Sequence, residues 1–396
     1  MLSRTELESE ANSKAAVPLS AVTGTSRIEA VLARIFIAIL AFIVFFAVAE
    51  LISRHYLAKK HSPIEDEFPS LEDVRHPMPY VMFGALPFAR NFNELGYRGK
   101  APKVPKNPSE FRIFMLGGST VLLGKPPIAG WLESEFADNG HPNVKVYNYG
   151  VISSVSGMEL ARIVYEISDL QPDLIIMYNG GNDILMPYET DPRPGYPYNF
   201  VVMESNPIYQ STPGSYPAFA LFAYGSNLLR YFLGDQFEER FLHIKQLRKD
   251  VGVMSDPWRD KIAESYVSNL VRASRVSAAF GSEFIAFFQP LVYYKKNLTE
   301  EEQNSVQNIY GGKEETEFAL DMRNRIVARL NRAAKTSNLN WLNLSHIYEN
   351  KTERVFTDEI HTTDPAKHLV ANAMYKRLES QWGQKFSAPT TQASQP

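Results

Sequence analysis

Apolar positions follow three regimes along the chain. Residues 1–26 carry scattered charges and no sustained apolar period, so they read as a polar tail. Ile35–Ala49 is an uninterrupted apolar run with no polar face to show to water. From Phe111 onward, short apolar runs alternate with stretches of helical period. The runs Phe111–Leu116, Val144–Tyr149, Asp173–Tyr178, Glu283–Phe288 and Trp341–Leu344 are predicted strands. Helical patterns cover Ile128–Phe136, Gly157–Leu170, Ile262–Ala279 and Ala319–Ala334. Strands that are apolar throughout and alternate with helices predict a parallel sheet covered on both faces. In such sheets ligands bind at the C-terminal strand ends.

The middle regime extends to Val31–Ile52 if Arg34 and Glu50 are accepted near its ends. At about 1.5 Å per residue this window crosses a hydrocarbon core of roughly 30 Å. It is read as a transmembrane anchor over 31–53. A cleaved signal peptide is the rival, because Ala47-Val48-Ala49 has a small-x-small cleavage pattern. The long preceding segment and the lack of a helix breaker favour the anchor. Either reading puts the rest of the chain outside the cytoplasm, on the periplasmic side of the inner membrane in a Gram-negative cell. Charge gives little help with orientation. Arg4, Lys14, Arg27 and Arg34 precede the span, and Arg54, Lys59 and Lys60 follow it.

The expected organisation is then a disordered tail over 1–30, the anchor, and a proline-rich stalk or strap over 54–110. A catalytic domain over 111–385 and a second disordered tail over 386–396 complete it. An insertion at about 184–260 interrupts the alternation. Its first part, Met186–Phe222, is rich in Pro, Tyr, Phe and Gly. It reads equally as a functional lid or as a surface insertion.

Composition narrows the chemistry. The chain of 396 residues has 41 Lys plus Arg against 44 Asp plus Glu, so no basic excess exists to hold a nucleic-acid backbone. With Cys 0 there can be no disulfide, thiolate metal site or cysteine nucleophile. The eight histidines are dispersed; His361 and His368 could share a helix face, but no third ligand lies nearby. No metal or organic cofactor is expected.

Gly117-Gly118-Ser119-Thr120 follows the first predicted strand directly. It fails the phosphate-loop pattern, because Ser119 stands where Gly is needed and Pro126 follows Lys125. It fails the G-x-S-x-G elbow at Val121. What remains is a serine on a glycine-flanked strand-to-helix turn, or an ordinary turn. A serine nucleophile needs a base, and the base an orienting carboxylate. Asp358-x-x-His361 offers both before the last helical stretch. Gly150 after the second strand and Asn182 after the third could donate to an oxyanion. Asp183 is assigned a structural role, bonding loop N–H groups.

Taken together these blocks resemble the SGNH/GDSL hydrolase family. Gly-Gly-Ser-Thr with Ser119, Asn-Tyr-Gly with Gly150, Gly-Gly-Asn-Asp with Asn182, and Asp-x-x-His with Asp358 and His361 match in order over roughly residues 111–380. The first block departs from the commoner Gly-Asp-Ser. Membrane-anchored bacterial members show this form, with a preceding stretch like Asn93–Gly99. The resemblance implies a flavodoxin-like three-layer α/β/α sandwich, here preceded by one transmembrane helix. It implies a Ser119–His361–Asp358 triad and an oxyanion hole from Ser119 N–H, Gly150 N–H and the Asn182 amide. The function it implies is a serine esterase cleaving or transferring acyl groups, acetyl foremost, on an extracytoplasmic polysaccharide or envelope glycan. A lipid esterase and a catalytically silent assembly protein are the alternatives. Tyr188, Tyr196, Tyr198, Phe200 and Tyr209 are candidate sugar-stacking residues, or plain packing of the insertion.

Overall fold

The computed structural model describes residues 19–58, 74–89, 91–198, 200, 226–229, 231–232, 243–309 and 312–386. The tail before residue 19, much of the insertion and the C-terminal tail beyond Phe386 lie outside them. The chain divides into two units, one of Met1–Lys60 with Ser215–Gly234, the other of His61–Gly214 with Asp235–Pro396.

In the first unit, helix α1 runs over Leu19–Ala58. It thus begins inside the stretch expected to be disordered. Its segment Arg27–Tyr56 is long and apolar enough to cross a membrane, and its most apolar window is not buried against protein.

The second unit opens with an antiparallel hairpin, β1 (His76–Met78) and β2 (Met82–Gly84). Five strands then form one parallel sheet: β3 (Phe111–Gly117), β4 (Val144–Gly150), β5 (Leu174–Asn179), β6 (Glu283–Phe288) and β7 (Trp341–Asn343). The order is β4-β3-β5-β6-β7. This is the flavodoxin-like arrangement, with its direction of winding reversed beside β3. Each predicted strand is present to within about a residue at its ends. Ile113 to Leu116 and Ile175 to Met177 are all fully buried, which is why the central strands read as continuous apolar runs.

The helices are α2 (Ser119–Leu122), α3 (Ile128–Asp138), α4 (Ser156–Arg162), α5 (Gly181–Glu189), α6 (Ile244–Asp250), α7 (Asp256–Ala279), α8 (Glu300–Ile309), α9 (Lys313–Ser337) and α10 (Asp364–Phe386). Right-handed crossovers put helices on opposite faces once the strand order reverses. Accordingly α3 packs with α10, while α4 and α9 both pack on α7. The sequence marks the start of α7 clearly: Ser255 caps it by accepting from the Trp258 N–H at 3.4 Å, and Pro257 occupies the first turn. The helix predicted over Gly157–Leu170 is interrupted. After α4 the chain widens to a π-turn at Ile163–Ile167 and tightens at Ser168–Leu170.

Candidate active site

The register sets the site. Gly117 at the end of β3 pairs with Gly150 of β4 on one side and Tyr178 of β5 on the other, so three strand ends stop at one level. Ser119 opens α2 just above this level, and Asn182 lies in the first turn of α5.

The two glycines before Ser119 are needed for close approach. Gly118 has φ −81°, which any residue adopts. A Cβ on Gly117 would lie 2.4 Å from the Tyr178 carbonyl oxygen, and one on Gly118 would lie 2.4 Å from Asn182 Nδ2. Only bare α-carbons let β3 hug β5 and let the Asn182 amide rest beside the serine turn. Gly180 is different. Its φ of 106° lies in the left-handed region, and it turns the chain from β5 into α5.

Asp358 and His361 come from a loop beyond the sheet. Phe356 pairs with Thr362, and the Thr357 N–H donates to the His361 carbonyl at 2.9 Å, closing the loop on itself. Inside it the Asp358 carboxylate takes the N–H groups of Ile360 at 2.9 Å and His361 at 2.6 Å through Oδ1. Its Oδ2 meets His361 Nδ1 at 2.6 Å, and His361 Nε2 meets Ser119 Oγ at 2.6 Å. All three side chains are buried. The sequence-predicted trio therefore forms one hydrogen-bonded line. Burial disfavours an imidazolium at His361, but the adjacent Asp358 charge outweighs it and raises the His361 pKa above its ordinary value. Burial likewise pushes against Asp358, and His361 draws its pKa below the usual carboxylate value.

Of the three expected oxyanion donors, Asn182 fits best. Its Nδ2 donates to the Ser154 carbonyl at 2.7 Å, leaving a second N–H on the same amide, and it lies against Gly118. The Ser119 N–H opens a helix, where N–H groups have no intrahelical partner. Gly150 is corrected on geometry. Its N–H donates at 2.9 Å to Asn148 Oδ1, and Asn148 Nδ2 is fixed on the Val121 carbonyl at 2.8 Å. The Asn148 side chain folds back onto the residue two ahead and takes the donor that the sequence seemed to offer. Asp183 bonds the start of α4, accepting from Ser156 Oγ at 2.5 Å and the Ser156 N–H at 3.2 Å. Burial pushes its pKa up to about 6.

Sequence reasoning missed a buried pair under the Asp358 loop. Glu302 Oε1 accepts the N–H groups of Val355 and Phe356, both at 2.9 Å, while its Oε2 is paired with Lys295. Lys295 also donates to the Glu353 carbonyl at 2.8 Å. Two acids beside Asp358 were missed as well. Burial, then the Asp358 charge, pushes Glu359 up to about 7, and burial with the Glu359 charge pushes Glu189 up to about 9.

A cavity of about 270 Å³ opens on His361, lined also by Thr120, Lys125, Thr357, Thr363 and Lys367. Among the described residues, none of the candidate stacking aromatics lines it. Tyr188 stacks on Phe318 at 5.0 Å, Tyr196 lies under Arg193 at 3.9 Å, and Tyr198 under Arg75 at 4.2 Å. Phe200 packs on Tyr196, and Tyr209 lies outside the described residues.

No protein-family model matches the sequence, and no curated protein matches it either. Solved structures of similar fold include a GDSL-like lipase from Bacteroides thetaiotaomicron (12% identity, 71% of this chain and 93% of that one, TM-score 0.38). An acetylxylan esterase from Geobacillus stearothermophilus is similar over 68% of this chain and 94% of its own, at 12% identity and TM-score 0.39. A lipase/acylhydrolase from Enterococcus faecalis matches over 68% and 96%, at 11% identity and TM-score 0.38. Likenesses this distant transfer no activity to the present chain.

Proposed function

We propose that this chain is a membrane-anchored serine esterase of the SGNH type. It cleaves or transfers acyl groups, acetyl foremost, on an extracytoplasmic polysaccharide or envelope glycan. The observation that carries the reading is the continuous line Asp358 Oδ2–His361 Nδ1 and His361 Nε2–Ser119 Oγ, each 2.6 Å long. In the neutral imidazole, Nδ1–H donates to Asp358 and Nε2 accepts from the serine hydroxyl. As Ser119 Oγ attacks the ester carbonyl, its proton passes to Nε2, and Asp358 stabilises the resulting imidazolium. The Ser119 N–H and the Asn182 amide receive the negative charge that forms on the carbonyl oxygen. When the tetrahedral centre collapses, the ester C–O bond breaks and the departing alkoxide takes the proton from His361. Water, or an acceptor hydroxyl in a transferase, then attacks the acyl-serine by the same route in reverse. The cavity beside His361 is lined by threonines, Lys125 and the Asp364–Lys367 ion pair, which suits a hydrophilic alcohol portion better than an acyl chain of lipid length.

The test is turnover of a short acetyl ester by the full-length protein in detergent, compared with Ser119→Ala, together with labelling by a serine-directed phosphonate. Turnover and labelling that both vanish in the variant are expected. A folded wild-type protein that neither turns over ester nor takes the label would overturn the esterase reading in favour of the silent assembly protein.

A further inference from the structure

Glu50 directly follows the apolar run Ile35–Ala49 of α1. It lies six residues before Tyr56, where the membrane-length segment ends, or about 9 Å along the helix at 1.5 Å per residue. A carboxylate at such a boundary loses water and must find other donors. Glu50 finds four on one distant stretch of chain. Its Oε2 accepts from Ser226 Oγ at 2.9 Å and the Leu228 N–H at 3.0 Å. Its Oε1 accepts from the Asn227 N–H at 2.5 Å and Asn227 Nδ2 at 2.9 Å. Residues 227–229 and 231–232 are helical, so Glu50 supplies from α1 the cap that the start of this stretch requires.

The clamp leaves apolar surface uncovered. Ser53 of α1 is buried, and the Tyr231 ring lies 6.2 Å from that of Tyr56. Yet Tyr231 and Phe232 remain 50% and 67% exposed, and Leu51 and Ile52 of α1 are exposed as well. Over residues 215–234 the sequence carries a single charge, Arg230, among Phe, Leu, Tyr and Ala. The stretch is mostly apolar, and tyrosines with neighbouring apolar groups are the residues that settle at a lipid–water boundary.

We propose that residues 226–229 and 231–232 form a second lipid contact of this protein, held by Glu50 in the same bilayer interface as the exit end of α1. The insertion between β5 and β6 is thereby tied to the membrane surface, and the chain has two attachments to lipid. This rests on the anchor reading of α1 given above. The occupant is a bilayer because the stretch is clamped to the end of a membrane-length helix and leaves its aromatic rings uncovered there.

The absence of cysteine makes the test direct. Nitroxide labels go on single cysteines at Leu51→Cys, Phe232→Cys and Lys125→Cys in the full chain, reconstituted into phosphatidylcholine–phosphatidylglycerol vesicles. Collision with oxygen, which concentrates in lipid, is compared with collision with a water-soluble nickel chelate. The oxygen-to-nickel ratio at Phe232 should be several-fold above that at Lys125 and near that at Leu51. Adding Glu50→Leu should bring the Phe232 ratio down toward the Lys125 value while Leu51 stays in lipid. A Phe232 label as open to nickel as Lys125, with Leu51 still in lipid, overturns the second contact and leaves the anchor standing. A Phe232 label shielded from both reagents overturns it in favour of a protein partner or a second copy. A Leu51 label in water removes the anchor reading, and this inference with it.

Discussion

Ser119 is held by backbone. Its strand is hydrogen-bonded on both sides, and the two glycines before it lie flat against the Tyr178 carbonyl and the Asn182 amide. His361 is held by side chains. Asp358 fastens it with two bonds inside one short loop and takes the neighbouring Ile360 N–H with a third, and Glu302 fastens the start of that loop from below with Lys295 as its counter-charge. The two halves of the site meet at 2.6 Å but rest on different physics. A parallel sheet delivers strand ends in register without any help from polar side chains. The last member of the trio comes from beyond the short edge strand β7, and there the alignment depends on buried charge.

Substitutions on each half test this contrast. Ser119→Ala should lower turnover by roughly 10⁴–10⁶-fold without changing thermal stability. On the backbone side, Gly118→Ala should cost about 10²–10³-fold, comparable to losing one oxyanion donor, because its Cβ displaces Asn182 Nδ2. Asn182→Ala should cost as much, and the double variant little more. Additive losses in that cycle would break the link between glycine and amide.

On the side-chain side, Glu302→Gln leaves the buried Lys295 charge without its counter-charge. Chemical denaturation should show a loss of about 3–5 kcal/mol. Activity should fall through kcat, with KM kept, since Glu302 touches the loop and not the cavity. An unchanged stability would refute the role given to the pair. The pH profile gives a smaller effect. Because Asp358 raises the pKa of His361, the neutral base exists only above that raised value, so kcat/KM should climb with pH through a midpoint above the ordinary 6.5. Glu359 adds negative charge beside the pair, so Glu359→Gln should move the midpoint down by less than a unit. A midpoint unmoved by this change would show that Glu359 is already neutral where His361 titrates.

Much of this frame was legible in the sequence, for a definite reason. Strands buried on both faces have no polar alternation to blur them, so Phe111–Leu116 and its partners stood out as apolar runs. Asp358 and His361 were legible because a spacing of three lets one turn carry both groups. Gly150 misled because its N–H was judged from the strand end alone, although Asn148, two residues back, is a common source of local side-chain capture. Lys295 and Glu302 could not be read out. The N–H groups that Glu302 serves, on Val355 and Phe356, are over fifty residues away in sequence and adjacent only after α9 and β7 have folded. The aromatic residues of the insertion were legible as a cluster but not in direction; Tyr188 turns into the core against Phe318.

The long excursion between β5 and β6 begins and ends on neighbouring strands that stay paired from Leu174↔Glu283 to Asn179↔Phe288. Closing a loop costs only about 0.6 kcal/mol more for each doubling of its length. The part of the excursion between α5, which carries Asn182, and the core helix α7 therefore behaves as an exchangeable module. Its length and composition are open to redesign while the spacing of the reacting atoms stays fixed, so a change of surface attachment or of acceptor need not be a change of chemistry.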